Sequence, residues 1–299
     1  MNKYVLIVIA SVVLWGTTIP PTKWALVSIP PFTLSFLRLF VACLVLFPLA
    51  QYKSSLFGQK RNIPWKRLWS LSFTGVGGTL ILGYWGIELT SGLHVSILGA
   101  TMPLFTLLLG VFYLKESISR TEIASLLLGL LGVLIISIQS DIERGSSILG
   151  DILILFSCLL WAIYMAQLKR PKGELHLPID WFTALTLFLG SLMMLPLAIV
   201  EIRVIGWPTL SWKVVGSVFY LSLLPTTLAY WLWNKGLTHI SMARASAILY
   251  TIPIIEVISC VILLDEMITW RLLIGGCLVL GGVVLIERKA IRNLLIKNN

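Results

Sequence analysis

The chain has 299 residues, of which 58% are hydrophobic and 12% charged. Its mean hydropathy is +0.94, whereas a soluble domain carries roughly 25% charge and has no core large enough for so much apolar surface. The net charge of +10 would suit nucleic acid only if it were gathered on one solvated face; the basic residues fall instead in short gaps between apolar runs, which leaves the lipid bilayer as the expected surroundings and no nucleic acid as a partner.

A membrane-spanning helix needs about 20 predominantly apolar residues, because every backbone polar group must be paired within the segment once water is gone. Ten runs answer to that description. The first, Tyr4 to Leu26, follows Lys3 and imitates a secretory signal, but Thr17-Thr18-Ile19-Pro20-Pro21 offers no small-x-small cleavage site, so it reads as a retained helix. Then come Phe32 to Gln51 with Arg38, Leu68 to Leu89 with Gly75, Gly77 and Gly78, Leu93 to Leu114 with Pro103, and Glu122 to Ile138. The second set is Ile148 to Leu168 with Trp161 and Tyr164, Trp181 to Val200, Lys213 to Asn234 with Pro225, Met242 to Leu264 with Arg244, Tyr250, Pro253 and Glu256, and Leu272 to Ile286. Cys43, Cys158, Cys260 and Cys277 all lie inside apolar stretches without CxxC spacing, so neither a disulfide framework nor a metal site is expected, and no cofactor motif is present.

Lysine and arginine accumulate in cytoplasmic loops. With ten helices, sixteen of the 23 Lys and Arg residues fall on the side of the two termini and four on the other, which places both termini in the cytoplasm. Sliding the sequence by 150 positions pairs Gly86 with Gly236, Ser91 with Ser241, Ser96 with Ser246, Thr101 with Thr251, Pro103 with Pro253, and Glu116 with Glu266. Trp15 pairs with Trp161 and Pro48 with Pro196 at slightly shorter offsets. A repeat of five helices is odd, so the second copy crosses the membrane in the opposite sense. The expected fold is all-α, ten transmembrane helices as two five-helix inverted repeats over 1–139 and 148–288, with a basic cytoplasmic tail over 289–299. Inverted repeats recur in secondary transporters, whose two halves exchange conformations.

Trp15 and Trp161 fall about 11 to 13 residues into their helices, near mid-bilayer, where a substrate site is expected. With Thr17, Tyr164, Tyr250 and Glu256 they form the candidate cavity. The alternative for the two indoles is gap-filling in the bundle. Tyr84, Trp85, Tyr230, Trp231 and Trp233 lie near helix ends and suit the aromatic belt. Gly75, Gly77, Gly78, Pro103, Pro225 and Pro253 mark candidate kinks or hinges. Lys23, Arg38, Arg244 and Glu256 are the intramembrane charges; the three cations lie close enough to helix ends to snorkel. Glu256 is deeper, so it either pairs with Arg38 or binds a substrate cation or a coupling proton.

Leu14-Trp15-Gly16 followed by Lys23, Phe36-Leu37-Arg38-Leu39, and the twin patterns from Pro103 to Leu114-Lys115-Glu116 and from Pro253 to Leu264-Asp265-Glu266 together resemble the EamA-type transporters of the drug/metabolite transporter superfamily. The resemblance covers nearly the whole chain. It implies the ten-helix inverted repeat, a central cavity lined mainly by helices 1, 3, 4, 6, 8 and 9, and transport of a small-molecule substrate such as an amino acid, nucleobase or vitamin, compatible with proton or counter-substrate coupling. Glu256 departs from the apolar filling such a ninth helix would carry. An intramembrane enzyme would need HExxH or a matched set of catalytic side chains, and only His94, His176 and His239 exist, all near loops. A receptor or scaffold would more usually show seven helices or a large extramembrane domain, and a GxxxxGK[ST] nucleotide loop is missing.

Overall fold

The structure is a computed structural model that describes residues 3–53, 63–102, 104–105, 108–109, 120–137, 147–168, 177–237, 239, 248–249 and 251–296. All regular structure among them is helical. The first rod is α1 (Lys3–Gly16) and α2 (Ile19–Leu26), interrupted at Thr17 and Thr18; the second is α3 (Pro31–Lys53). The third joins α4 (Trp65–Ser72), a π-helical segment (Phe73–Gly77) and α5 (Gly78–Leu89). The first half continues with α6 (Gly92–Gly99), which opens the fourth rod, and α7 (Arg120–Ser137). In the second half α8 (Ile148–Leu168) and α9 (Ile179–Ile205) are single helices. The eighth rod is again composite: α10 (Trp212–Leu221), a π-helical segment (Ser222–Leu228) and α11 (Ala229–Leu237). The chain ends with α12 (Thr251–Leu264) and α13 (Trp270–Ile296), so the expected basic tail is helical as far as Ile296.

Five described stretches are long and apolar enough to cross a membrane: Lys3–Leu26, Pro31–Lys53, Ile148–Leu168, Ile179–Ile205 and Trp212–Gly236. Large apolar side chains such as Leu44, Phe156, Ile199, Phe219 and Ile262 face outward. In water such a surface would drive association; against lipid it is the ordinary exterior.

The two halves run in opposite senses, and side-chain contacts show it. The first and eighth rods are antiparallel: Tyr4 stacks on His239 at one end and Lys213 lies over the Trp24 ring at the other. Likewise α3 meets α9 through Lys53 and Asp180 at one end and Thr33 and Glu201 at the other. The third and sixth rods touch at Thr74 and Gln167, then at Thr90 and Asp151. Second with seventh, fourth with ninth, and fifth with tenth are pairs of repeat mates; first with eighth and third with sixth exchange under the same two-fold operation.

The end of the bundle that carries Tyr4, Lys53 and Asp180 is termed proximal, and the opposite end distal. At the distal end, carboxylates of the second half fasten helix starts of the first. The opening N–H groups of a helix lack intrahelical partners. Glu201 accepts from the Phe32 and Thr33 amides at 3.1 and 2.6 Å and from the Thr33 hydroxyl at 2.8 Å, closing the start of α3. Glu266 accepts from the Gly92 and Leu93 amides at 2.9 and 2.8 Å, closing the start of α6. Asp265, at the end of α12, adopts the left-handed conformation (φ 54°), and the carboxylate of the next residue reaches α6. Glu266 thus caps a helix of the other half; Glu116, its repeat mate, lies outside the described residues. At the proximal end the ties are the 3.2 Å Lys53–Asp180 pair and a 2.7 Å bond from the Trp231 indole N–H to Asp180.

Inverted pairing predicts that single cysteines placed at the N-terminus, in the 52–66 loop and at the C-terminus, in a background lacking the four native cysteines, are labelled from one side of the membrane only. Labelling of the C-terminus from the side opposite the N-terminus would break the even helix count.

Candidate functional site

The first rod breaks just after Trp15. Thr17 donates its hydroxyl to the Leu14 carbonyl at 2.9 Å, and Thr18 does the same to Trp15 at 2.7 Å. Such back-bonding from hydroxyls offers the chain an alternative to the helical ladder. The Thr17 and Tyr220 hydroxyls also share a 2.6 Å bond that ties the break to α10.

Opposite this break lies the π-helical turn of the eighth rod. Pro225 has no N–H to give, and the carbonyls left over are taken by side chains: Thr226 donates to Leu221 at 2.7 Å and Thr227 to Ser222 at 2.8 Å. The Pro225 carbonyl in turn accepts the Trp15 indole N–H at 2.9 Å. The third rod has its π turn at the equivalent place, across Gly75 and Gly77, with the Thr79 hydroxyl bonded to the Thr74 carbonyl. π-Turns of this kind are frequent at functional sites.

Around Trp15 stand Trp161, Tyr230 and Trp233, with ring centroids 5.8, 5.4 and 5.2 Å away, and Tyr164 lies 5.2 Å from Trp161. The four partners are buried. The Tyr230 hydroxyl donates to the Gly75 carbonyl at 3.3 Å, but the indole N–H groups of Trp161 and Trp233 are buried without an acceptor among the described residues. A buried donor without a partner costs about 1–3 kcal/mol. Gly75 is required by this packing, since a Cβ there would sit 2.4 Å from the Tyr164 ring.

Thus Trp15, Thr17, Trp161 and Tyr164 are brought together, and Gly75, Gly77 and Pro225 lie in the two π turns, with Gly78 opening α5. Pro253 falls within α12. Tyr250, Arg244 and Pro103 lie outside the described residues. Glu256 is half-buried on α12, where the neighbouring Ile255 packs on Gly16, and no hydrogen bond or ion pair to its carboxylate is found among the described residues.

Arg38 does not pair with Glu256 and does not snorkel. It is buried, donating to the Thr226 hydroxyl in the eighth rod and, at 2.6 Å, to the Tyr84 hydroxyl. The proximity of two hydroxyls in the rod interior outweighs the reach to a helix end. Lys23 donates to the Thr90 carbonyl at the distal end of the third rod. The aromatic-belt reading fails for Tyr84, Tyr230 and Trp233, which are 1%, 6% and 0% exposed. Tyr230 and Trp233 are three residues apart on a helix and therefore share a face, a spacing that sequence reading overlooked. Trp85 is exposed, and Trp231 is half-buried against Asp180.

The EamA-like transporter family model matches residues 2–138 and again 148–288. The chain belongs to the EamA-like transporter family. Among the relatives of this EamA-like chain, an "Uncharacterized transporter" of Archaeoglobus fulgidus is 27% identical over 97% of this chain and 100% of its own length. A "Probable terminal-alkyne amino-acid exporter" of Streptantibioticus cattleyicolor is 25% identical, covering 97% of this chain and 95% of the exporter. A "Probable amino-acid metabolite efflux pump" of Salmonella typhimurium is 24% identical over 91% of this chain and 90% of the pump. A crystal structure at 19% identity superposes with a TM-score of 0.65 over 97% of this chain and 98% of the other, which supports the fold. With its apolar helices, family membership makes the chain an integral membrane protein and a transporter of the drug/metabolite type.

Gly75→Ala is expected to lower the unfolding free energy in detergent by about 1–3 kcal/mol through overpacking. Gly216→Ala, inside α10 with open space around the added methyl, should leave the melting temperature unchanged or raise it.

Proposed function

We propose that this EamA-like protein is a secondary transporter, an efflux permease that moves a small metabolite such as an amino acid or a related compound across the cell membrane by alternating access, with both termini in the cytoplasm. The observation that carries the reading is the Trp15 indole bonded to the Pro225 carbonyl, because it joins a broken helix of one half to the π turn of the other within one aromatic cluster. Substrate sites in inverted-repeat carriers sit where discontinuous helices of the two halves meet.

The chemistry around that junction supports a zwitterionic cargo. Two buried indole N–H groups, without a partner among the described residues, suit an acceptor such as a carboxylate oxygen. Arg38, bonded to the π turn at Thr226 and held by the Tyr84 hydroxyl and ring, brings positive charge beside the cluster. Glu256, near the break in the first rod, supplies negative charge suited to an ammonium group. Aromatic faces between them would cover the apolar part of the molecule. The 1–139 and 148–288 halves would rock about the π turns at Gly75 and Pro225, so that the cluster faces the two sides in alternation.

Purified protein in liposomes, challenged with a metabolite mixture and read by mass spectrometry, should transport one chemical class of compound. In the same assay Trp15→Ala should cut the initial rate at least about tenfold, a loss of about 1.4 kcal/mol in transition-state stabilisation, with membrane expression preserved. Glu256→Gln should raise the half-saturating concentration of an amino compound and leave its deaminated analogue untouched. No transport of any compound above empty liposomes would overturn the reading.

A further inference from the structure

We infer that the link between α9 and α10 is a lipid-docking surface, in which Trp207, Leu210 and Trp212 enter the headgroup layer at the distal end while Arg203 and Lys213 hold the phosphate of an anionic phospholipid. The link is built to turn sharply. The Gly206 amide closes α9 on the Ile202 carbonyl at 2.9 Å, Gly206 itself takes the left-handed conformation (φ 94°), and the Ser211 hydroxyl opens α10 by accepting the Val214 amide at 3.3 Å. Its apolar side chains are turned out of the bundle: Val204, Ile205 and Leu210 are exposed, Trp207 is 84% exposed and Trp212 91%.

Length sets the level of this surface. The 27 residues of α9 rise about 40 Å, against about 30 Å of hydrocarbon and about 40–45 Å once both headgroup layers are included. Its proximal start carries Asp180, paired with the exposed Lys53, so the last turn of α9 and the link that follows fall at the distal headgroup level. That last turn also runs past Glu201, which closes the start of α3, so the link stands beyond the neighbouring rod.

Water, protein and lipid are the coverings open to such a patch. Water is disfavoured by five large apolar side chains in so short a stretch. A stable protein interface engages about 20–30 residues a side, and the stretch from Val204 to Trp212 is far shorter. Lipid headgroups match it in both chemistry and sign. Tryptophan settles at the membrane–water boundary, where the ring lies on apolar matter and the N–H stays wet. From Arg203 to Lys213 the sequence carries a cation at each end and no acid between them. Arg203 is exposed and has no ion-pair partner among the described residues. The Lys213 ammonium lies 4.1 Å from the centre of the Trp24 ring, a contact that brings no negative charge, so both cations are open to the charge-assisted bonds that a phosphate accepts. The pairing recurs at the next distal link, where the Arg271 guanidinium lies over the exposed Trp270 ring at 5.0 Å. The α9–α10 link joins the seventh rod, clasped to α3 at both ends, to the eighth, whose π turn accepts the Trp15 indole; lipid docked here steadies the distal end of the eighth rod.

The test reads docking and not transport, so its failure is separable from failure of the transport reading. An environment-sensitive fluorophore goes on Thr209→Cys, exposed on the link, in full-length protein lacking the four native cysteines and reconstituted in vesicles of phosphatidylcholine with or without phosphatidylglycerol. Its emission should lie to the blue of the same label in water, resist acrylamide, and be quenched by phosphatidylcholine spin-labelled at the headgroup; phosphatidylglycerol should push all three further in the same direction. Arg203→Gln combined with Lys213→Gln should lose the response to phosphatidylglycerol and keep the quenching by spin-labelled lipid. Where the double variant does not fold, Arg203→Gln alone decides, and its response to phosphatidylglycerol should be smaller than the parent's. Full quenching by acrylamide places the link in water, and quenching by neither agent places a second copy or another protein over it; either result overturns the inference. So does an emission that ignores phosphatidylglycerol, or a charge variant that responds to it as the parent does.

Discussion

Every break in this bundle is constrained by the cost of leaving a backbone polar group unpaired away from water. The first rod is interrupted at Thr17 and Thr18, and their hydroxyls turn back onto Leu14 and Trp15. The eighth rod loses a donor at Pro225, and Thr226 and Thr227 answer the carbonyls concerned. Helix starts exposed between rods are closed by Glu201 and Glu266. The polar residues of this apolar chain are therefore concentrated where the helices stop being regular, and the irregular places are the ones that meet across the two halves.

Much of this architecture was legible in the sequence because the bilayer imposes it. Apolar run length gave the rods, and the Ile148–Leu168 helix begins and ends at the expected residues. The 150-residue offset and the odd number of helices per repeat predicted opposed halves, and the contacts of Thr33 with Glu201 and Thr90 with Asp151 display that opposition. Gly75 and Pro225, which look like different kinds of weakness in the two copies, both lie in π turns. Helix edges were less legible: α9 runs on to Ile205 and α13 to Ile296, because length beyond the hydrocarbon core has no hydropathy signature.

The candidate site was read only in part. Trp15 and Trp161 stood out through depth and repeat symmetry, and their rings are in contact. Tyr230 and Trp233 were assigned to the interface from distance along the helix alone, although the π turn before them rotates the facing of α11. For Arg38 a reach to the helix end was expected, with Glu256 as an alternative partner, whereas the structure gives it the Thr226 and Tyr84 hydroxyls. Pairings of that kind depend on which rods are neighbours, and a sequence lists residues without their neighbours. His94 and Asp151 were likewise invisible as a pair, being 57 positions apart on rods that meet only after folding.

The two ends of the bundle are fastened by different chemistry. Distal carboxylates are bonded to backbone amides and to a buried imidazole, while the proximal Lys53–Asp180 pair has a lysine side chain 45% exposed. Dissolved ions screen exposed charges within about 8 Å at physiological strength and barely touch buried ones. Ionic strength therefore acts unevenly on the two ends: concentrated salt weakens the exposed proximal pair most and the contact of buried Asp151 least. Two copies related by an inversion have thereby acquired unequal clasps, made by side chains that lie outside the aromatic cluster.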